Sequence, residues 1–134
     1  MTETTALTSH EATVDRYLRF WNAATPDEQR RLAAETLAED IEYRAPIGLL
    51  EGTQALIDFR DQVTGHLGSL SFHRRGDVQV HHDRARLPWR IEARGEETFA
   101  AGIDVLTFGP DGRIRSVVAF LDKAPEGFDP HAHE

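Results

Sequence analysis

One carboxylate in this chain sits where a charge is costly. Asp104 lies in GIDVLTF, residues 102–108, a run that otherwise reads as a buried strand. Burying an ionised carboxylate is unfavourable unless it is paired or keeps its proton. Asp104 is therefore either tied to a partner or turned toward a ligand cavity, where it could serve as a general acid or base. Alternation puts Gly102, Asp104, Leu106 and Phe108 on one strand face and Ile103, Val105 and Thr107 on the other. Gly102 removes a side chain beside Asp104, so another group can approach the backbone there. The competing, purely structural reading pairs Asp104 with an arginine or uses it to cap a bulge.

Other candidate groups are scattered. Tyr17 lies on the apolar face of a helix, and a buried tyrosine hydroxyl needs a hydrogen-bond partner. In RLPWRIEAR, Leu87, Trp89 and Ile91 share one strand face, and Arg86, Arg90 and Glu92 the other. Pro88 donates no ladder hydrogen bond and hints at a bulge or an edge. His66 and His73 fall near the expected seam between helices and sheet. A neutral histidine there could be a general base, and His73 is the candidate partner for Asp104. His81 and His82 fall at a turn. No histidine pair within a core element has metal-ligand spacing. There is no nucleophile elbow, phosphate-binding glycine loop or dinucleotide fingerprint, so neither a metal nor an organic cofactor is expected.

The elements that must position these groups follow from hydrophobic period. Thr8 and Glu11 have capping-box spacing ahead of Val14, Tyr17, Leu18 and Trp21, which predicts a first helix starting near Thr8 or Ser9. Thr25, Pro26 and Glu28 announce a second, with Leu32, Ala33 and Leu37 as its buried stripe. DIEYRAP alternates as a short strand ended by Pro46 and Gly48. A third helix follows, with Thr53 as its cap, Leu56, Phe59 and Val63 on one side, and Gly65 or Gly68 as its stop. The period then changes to two. Strands are expected at about Leu70–His82, Arg84–Arg94, Glu97–Phe108 and Arg113–Asp122, joined through HHDR, RGEE and GPDGR as an antiparallel meander. Three helices packed on a strongly curved antiparallel sheet make an α+β domain with a pocket between the layers.

The bulk properties bound the answer. The 134 residues suit one domain, residues 1–124, with residues 125–134 as a frayed tail whose His131 and His133 are incidental. Fifteen Lys and Arg stand against 23 Asp and Glu, a net charge of −8. That excludes the basic face a nucleic-acid surface needs and disfavours anionic membrane. Cysteine is absent, which excludes disulfides and thiol nucleophiles. With no signal peptide and no apolar run of the ~20 residues a membrane span needs, the expected location is cytoplasmic.

The texts DRYLRFWNAAT, EDIEYRAPIGLLEGTQALIDF and GIDVLTFGPDGRIRSVVAFLD resemble the nuclear transport factor 2-like superfamily, in its ketosteroid isomerase and SnoaL-like polyketide cyclase branch. The resemblance runs from about Val14 to Asp122. It implies a cone-shaped, cystatin-like roll. By that resemblance Tyr17 matches an oxyanion-hole tyrosine, Asp104 a carboxylic acid kept protonated as second donor, and Phe59 an aromatic of the steroid site. The isomerases carry an Asp base just before Pro-x-Gly, where this chain has Ala45. Two mechanisms stay open: Tyr17 and Asp104 as donors to a carbonyl or enolate, or an ionised Asp104 as the acid/base, as its counterpart resembles in the cyclases. The expected function is a cofactor-free isomerase, lyase or cyclase acting on a hydrophobic carbonyl compound, polyketide- or steroid-like. The alternatives are a non-catalytic binding or dimerisation module, and an epoxide hydrolase of the same fold. Expected cavity residues are Tyr17, Trp21, Phe59, Val63, Leu87, Trp89, Asp104 and either Phe120 or Leu121. The outer sheet face is expected to form a homodimer.

Overall fold

The computed structural model describes residues 2–46, 48–68 and 70–124. The side chains of residues 2–8, His66 and Leu67 are outside the description, as are the tail and its His131 and His133. Helix α1 spans Thr2–Trp21 and α2 spans Pro26–Thr36. Strands β1 (Leu37–Ala45) and β2 (Gly48–Glu51) form a hairpin, and α3 follows at Thr53–Leu67. Five strands complete the chain: β3 (Leu70–Arg74), β4 (Gln79–His81), β5 (Arg84–Ala93), β6 (Glu96–Phe108) and β7 (Ile114–Lys123).

Local chemistry explains the helix boundaries. Thr25 caps α2, its Oγ1 accepting from the Glu28 amide at 3.1 Å, with Pro26 in the first turn and Asp27 and Glu28 against the positive end of the dipole. Three expectations at helix ends are corrected. First, α1 begins at Thr2, because capping-box spacing does not end a helix whose backbone ladder continues through it. Second, Leu37 leaves α2 and opens β1, where it is buried in the core in extended geometry. Third, the N-cap of α3 is Gly52, with φ 90°, and Thr53 is already helical. Gly68 ends α3 at φ 78°, a region open to glycine at little cost.

The strands run in the order β2-β1-β7-β6-β5-β3, with β4 also on β5. The meander β5-β6-β7 is antiparallel, but β1 joins β7 in parallel, so the sheet is mixed. The two strands are not consecutive: α3 and β3–β6 lie between them, and a parallel pair needs such a crossover connection. The expected single strand over 70–82 is two. Opposite the gap between β3 and β4 lies Pro88, which has no amide to give; its carbonyl accepts from the Arg75 amide at 3.0 Å, and the ladder breaks there. Register shifts at Ala101/Gly102 and Thr107/Phe108 bend β6 along its pairing with β7.

The helices cover the inner sheet face. The main core gathers Val14, Tyr17, Phe20 and Trp21 of α1, Leu32 of α2, Ile41 of β1 and Leu56 of α3 over Leu87, Leu106 and Val117 of the sheet. A second, smaller cluster joins Trp89, Ala93, Phe99 and Ala100. Among the described residues no helix is long and apolar enough to cross a membrane.

Candidate functional site

Asp104 sits on the inner face of β6, between Leu87 of β5 and Ala119 of β7. It is 5% exposed. Its Oδ2 accepts from the Tyr17 hydroxyl at 2.6 Å, and its Oδ1 accepts from the Trp89 indole Nε1 at 2.7 Å. Among the described residues no arginine is seen to pair with it. Burial pushes the Asp104 carboxyl up from 3.8 to about 6, although the bonds from Tyr17 and Trp89 pull the other way. Burial first, and then the Asp104 charge, hold the Tyr17 phenol well above its ordinary value.

Gly102 explains the arrangement. Trp89 pairs with Gly102 across β5 and β6, and its ring lies over that residue. A Cβ at position 102 would stand 2.6 Å from Trp89 Cζ2 and 2.1 Å from the Phe120 carbonyl oxygen. The group that approaches the backbone here is therefore the chain's own indole, delivered to Asp104 two residues along.

Beside Asp104 lies a cavity of about 260 Å³ between the two core clusters. Trp21 of α1 lines it, with Tyr43 and Ala45 of β1, Pro46, Phe59, Arg60 and Val63 of α3, and Leu70 and Phe72 of β3. Trp89 and Ile91 of β5, Phe99, Ala100 and Asp104 of β6, and Ala119 and Leu121 of β7 complete it. Among the described residues Asp104 is its one carboxylate and Arg60 its one cation. Arg60 donates to the Trp21 and Ala23 carbonyls at 3.2 and 2.5 Å, neutralising the C-terminal end of α1. Tyr43 packs between Trp21 and Phe59, with ring centroids at 5.9 and 6.5 Å. Burial and the nearby Asp104 charge raise its phenol well above the ordinary value.

The sequence-derived candidates separate cleanly in space. Trp21, Phe59, Val63, Trp89, Asp104 and Leu121 meet at this cavity, and Tyr17 reaches it through Asp104. Three do not. Leu87 is wholly buried in the main core. Phe120 is 56% exposed on the outer face, because Ala119 and Leu121 take the inner positions of β7. His73 alternates with Phe72, which faces the cavity, so His73 is turned to the other side of β3; its Nε2 is buried without a hydrogen-bond partner. Sequence reasoning missed Tyr43, Arg60, Phe72 and Phe99. For Tyr43 a signal existed: it alternates with Ala45, the position the family resemblance had already marked as facing the site.

A family model described as the SnoaL-like domain matches residues 14–117. No curated protein matches the sequence. A candidate isomerase of the SnoaL-like family from Agrobacterium tumefaciens is 29% identical, with a TM-score of 0.79 over 86% of this chain and 98% of its own. A candidate SnoaL-like polyketide cyclase from Jannaschia is 19% identical, with a TM-score of 0.70 over 86% of each chain. A de novo designed protein with a curved β-sheet, 16% identical, reaches 0.65 over 86% of each chain. A fold shared with a designed protein carries no function by itself, so the side chains of the site must supply the argument.

Proposed function

The chain belongs to the SnoaL-like domain family, and from that premise we propose a cofactor-free isomerase- or cyclase-type enzyme in which Asp104 moves a proton on a small apolar carbonyl compound. The observation that carries this is the pair of donors on one buried carboxylate. Trp89 Nε1–H can only donate, and the Tyr17 hydroxyl has one proton, which is directed at Asp104. Both contacts favour the ionised form. With its pKa near 6, Asp104 is about nine-tenths ionised at pH 7 yet can hold a proton within one turnover. Of the two mechanisms open at the outset, this geometry favours Asp104 as acid/base over Asp104 as a permanently protonated donor.

In this reading Asp104 takes a proton from the carbon next to the carbonyl. The C–H electron pair becomes the enolate double bond, and the carbonyl oxygen gains charge. Asp104 then returns the proton to another carbon, or the enolate closes a ring. The apolar walls exclude water and keep the carboxylate basic. At about 260 Å³ the cavity is smaller than sites for drug-sized ligands, roughly 300–1,000 Å³, and suits one or two rings rather than four. The epoxide hydrolase alternative needs an Asp–Arg–Asp set, whereas among the described residues the lining holds one carboxylate and an Arg60 directed at backbone carbonyls.

A second reading, a binding module without turnover, draws on Ala45: it lines the cavity and offers only a methyl group where the isomerases carry a base. Ring-opening of 5-nitrobenzisoxazole separates the two. A base takes its C–H proton, the electron pair forms the nitrile, the N–O bond breaks, and a coloured phenolate leaves. The wild type is expected to accelerate this reaction with a rate that rises through pH 6, and Asp104→Asn to lose the acceleration. Equal rates in both proteins would sink the enzymatic reading and leave the binding module.

A further inference from the structure

The polar groups around the cavity are nearly all committed. The Tyr17 hydroxyl and the Trp89 indole point at Asp104. The Arg60 guanidinium points at the Trp21 carbonyl, the last of α1, and at the Ala23 carbonyl just beyond it. The exception is Tyr43. Its side chain lines the cavity, its ring is wedged between Trp21 and Phe59, and its hydroxyl has no hydrogen-bond partner among the described residues. The hydroxyl is not among the buried unpaired polar atoms of the described residues, so it is accessible, and its residue lines the cavity with its one proton uncommitted. Something entering the cavity is the natural acceptor for this proton.

We propose that Tyr43 donates the hydrogen bond to the carbonyl oxygen of the substrate, making it a catalytic residue in the role that family resemblance gives to Tyr17. The inference rests on the reading of Asp104 as the proton-transfer group. The chemistry divides accordingly. Asp104 removes the proton from carbon, the C–H pair moves into the new double bond, and the charge that arrives on oxygen meets the Tyr43 hydroxyl. Tyr17, one bond removed from the substrate, is a positioning residue: it holds the carboxylate and keeps it ionised. Tyr43 and Asp104 line the same cavity of about 260 Å³, so one small ketone held there can meet both groups. The ligand this selects is a neutral molecule of one or two rings with a single carbonyl and acidic hydrogens beside it. A carboxylate-bearing ligand would face the ionised Asp104 with no free cation among the described lining residues to offset it.

The test uses 2-tetralone, a two-ring ketone, and follows exchange of its α-hydrogens for deuterium by NMR across pH 5 to 9. In wild type the rate should rise through pH 6. In Tyr43→Phe the limiting rate should fall by roughly 10²-fold, the usual effect of removing one oxyanion donor, with the pH midpoint unmoved. In Tyr17→Phe the midpoint should move up, because a bond that favours the ionised carboxylate is gone. A wild-type rate in Tyr43→Phe beside a dead Asp104→Asn overturns the Tyr43 role and leaves the acid/base reading standing. A wild-type rate in Asp104→Asn overturns that reading itself, and the Tyr43 role with it. An arm independent of turnover is the infrared carbonyl stretch of bound 2-tetralone. It should shift to lower frequency in wild type and in Tyr17→Phe; loss of that shift in Tyr17→Phe would assign the donor to Tyr17 and overturn the proposal, even if Tyr43→Phe failed to fold.

Discussion

Replacing Asp104 by Asn should make the protein more stable and less active, by an amount that depends on pH in a calculable way. The native carboxyl holds its proton up to about pH 6, whereas the unfolded chain releases it near 3.8. Between those values the native state binds more protons than the unfolded state, so native stability falls as pH rises through this window. Well below 3.8 both states are protonated and nothing is lost; well above 6 both are ionised and the loss is complete. Each tenfold in the proton equilibrium is worth about 1.4 kcal/mol, so a rise from 3.8 to about 6 corresponds to a loss of about 3 kcal/mol. Asparagine has no proton to lose. Its oxygen can accept from Trp89, and its amide can donate to a Tyr17 hydroxyl that has turned, so each partner keeps one hydrogen bond. Urea titrations of both proteins from pH 4 to pH 8 measure the difference. The variant should gain on wild type across pH 4 to 6 and stay ahead by about 3 kcal/mol from pH 7 upward. A stability gap that does not change with pH would refute the assignment of a raised pKa to Asp104, and with it the account of why a carboxylate is tolerated there.

The surrounding groups give further expectations. Trp89→Phe removes a donor that favours the ionised carboxylate, so the pH midpoint of 5-nitrobenzisoxazole ring-opening should move above 6; a lower midpoint would contradict the bond from Nε1. Gly102→Ala should cost about 3 kcal/mol or more by urea titration, because its Cβ would overlap the Phe120 carbonyl and the Trp89 ring, and backbone cannot move aside as a flexible side chain can. The outer face carries Phe120 at 56% exposure beside Ile103, Val105 and Val118, and we expect it to pair with a second copy of the chain. Sedimentation at micromolar concentration should give twice the chain mass, and Phe120→Glu should give a monomer; a monomeric wild type would end the idea.

The legible parts of this chain share a physical character. Thr25-Pro26, the β5-β6-β7 run and the GPDGR turn are local signals, each decided by residues within a few positions of one another. What escaped was non-local. No feature of DIEYRAP says that β1 will lie parallel to β7, because the two strands are far apart in the chain, with α3 and β3–β6 between them. Pro88 was visible as an irregularity, but its effect falls on a partner strand, where it splits one expected element into β3 and β4. Phe120 and Leu121 could not be told apart, since a register shift of one residue at Gly102 exchanges the two faces of a strand. His73 fell to the same ambiguity, turned away by alternation with Phe72.

The site itself was half legible for a related reason. Asp104 announced itself because a charge in an apolar strand is costly, and Gly102 announced that something would approach it. The identity of that something required three dimensions. Trp89 is fifteen residues away in the chain and adjacent across the strands. Its presence also changes what the family resemblance can mean. A second oxyanion donor must be a protonated acid with its hydrogen free for the substrate. Here one oxygen faces an indole N–H that can never accept, and the other faces a phenol whose proton is directed at it. Two donors converging on one carboxyl stabilise the anion, which is a base. With the usual base position reduced to the methyl of Ala45, the remaining carboxylate can still move a proton only if it is ionised near neutral pH. The Trp89 indole, admitted by Gly102, is a group that helps keep it so.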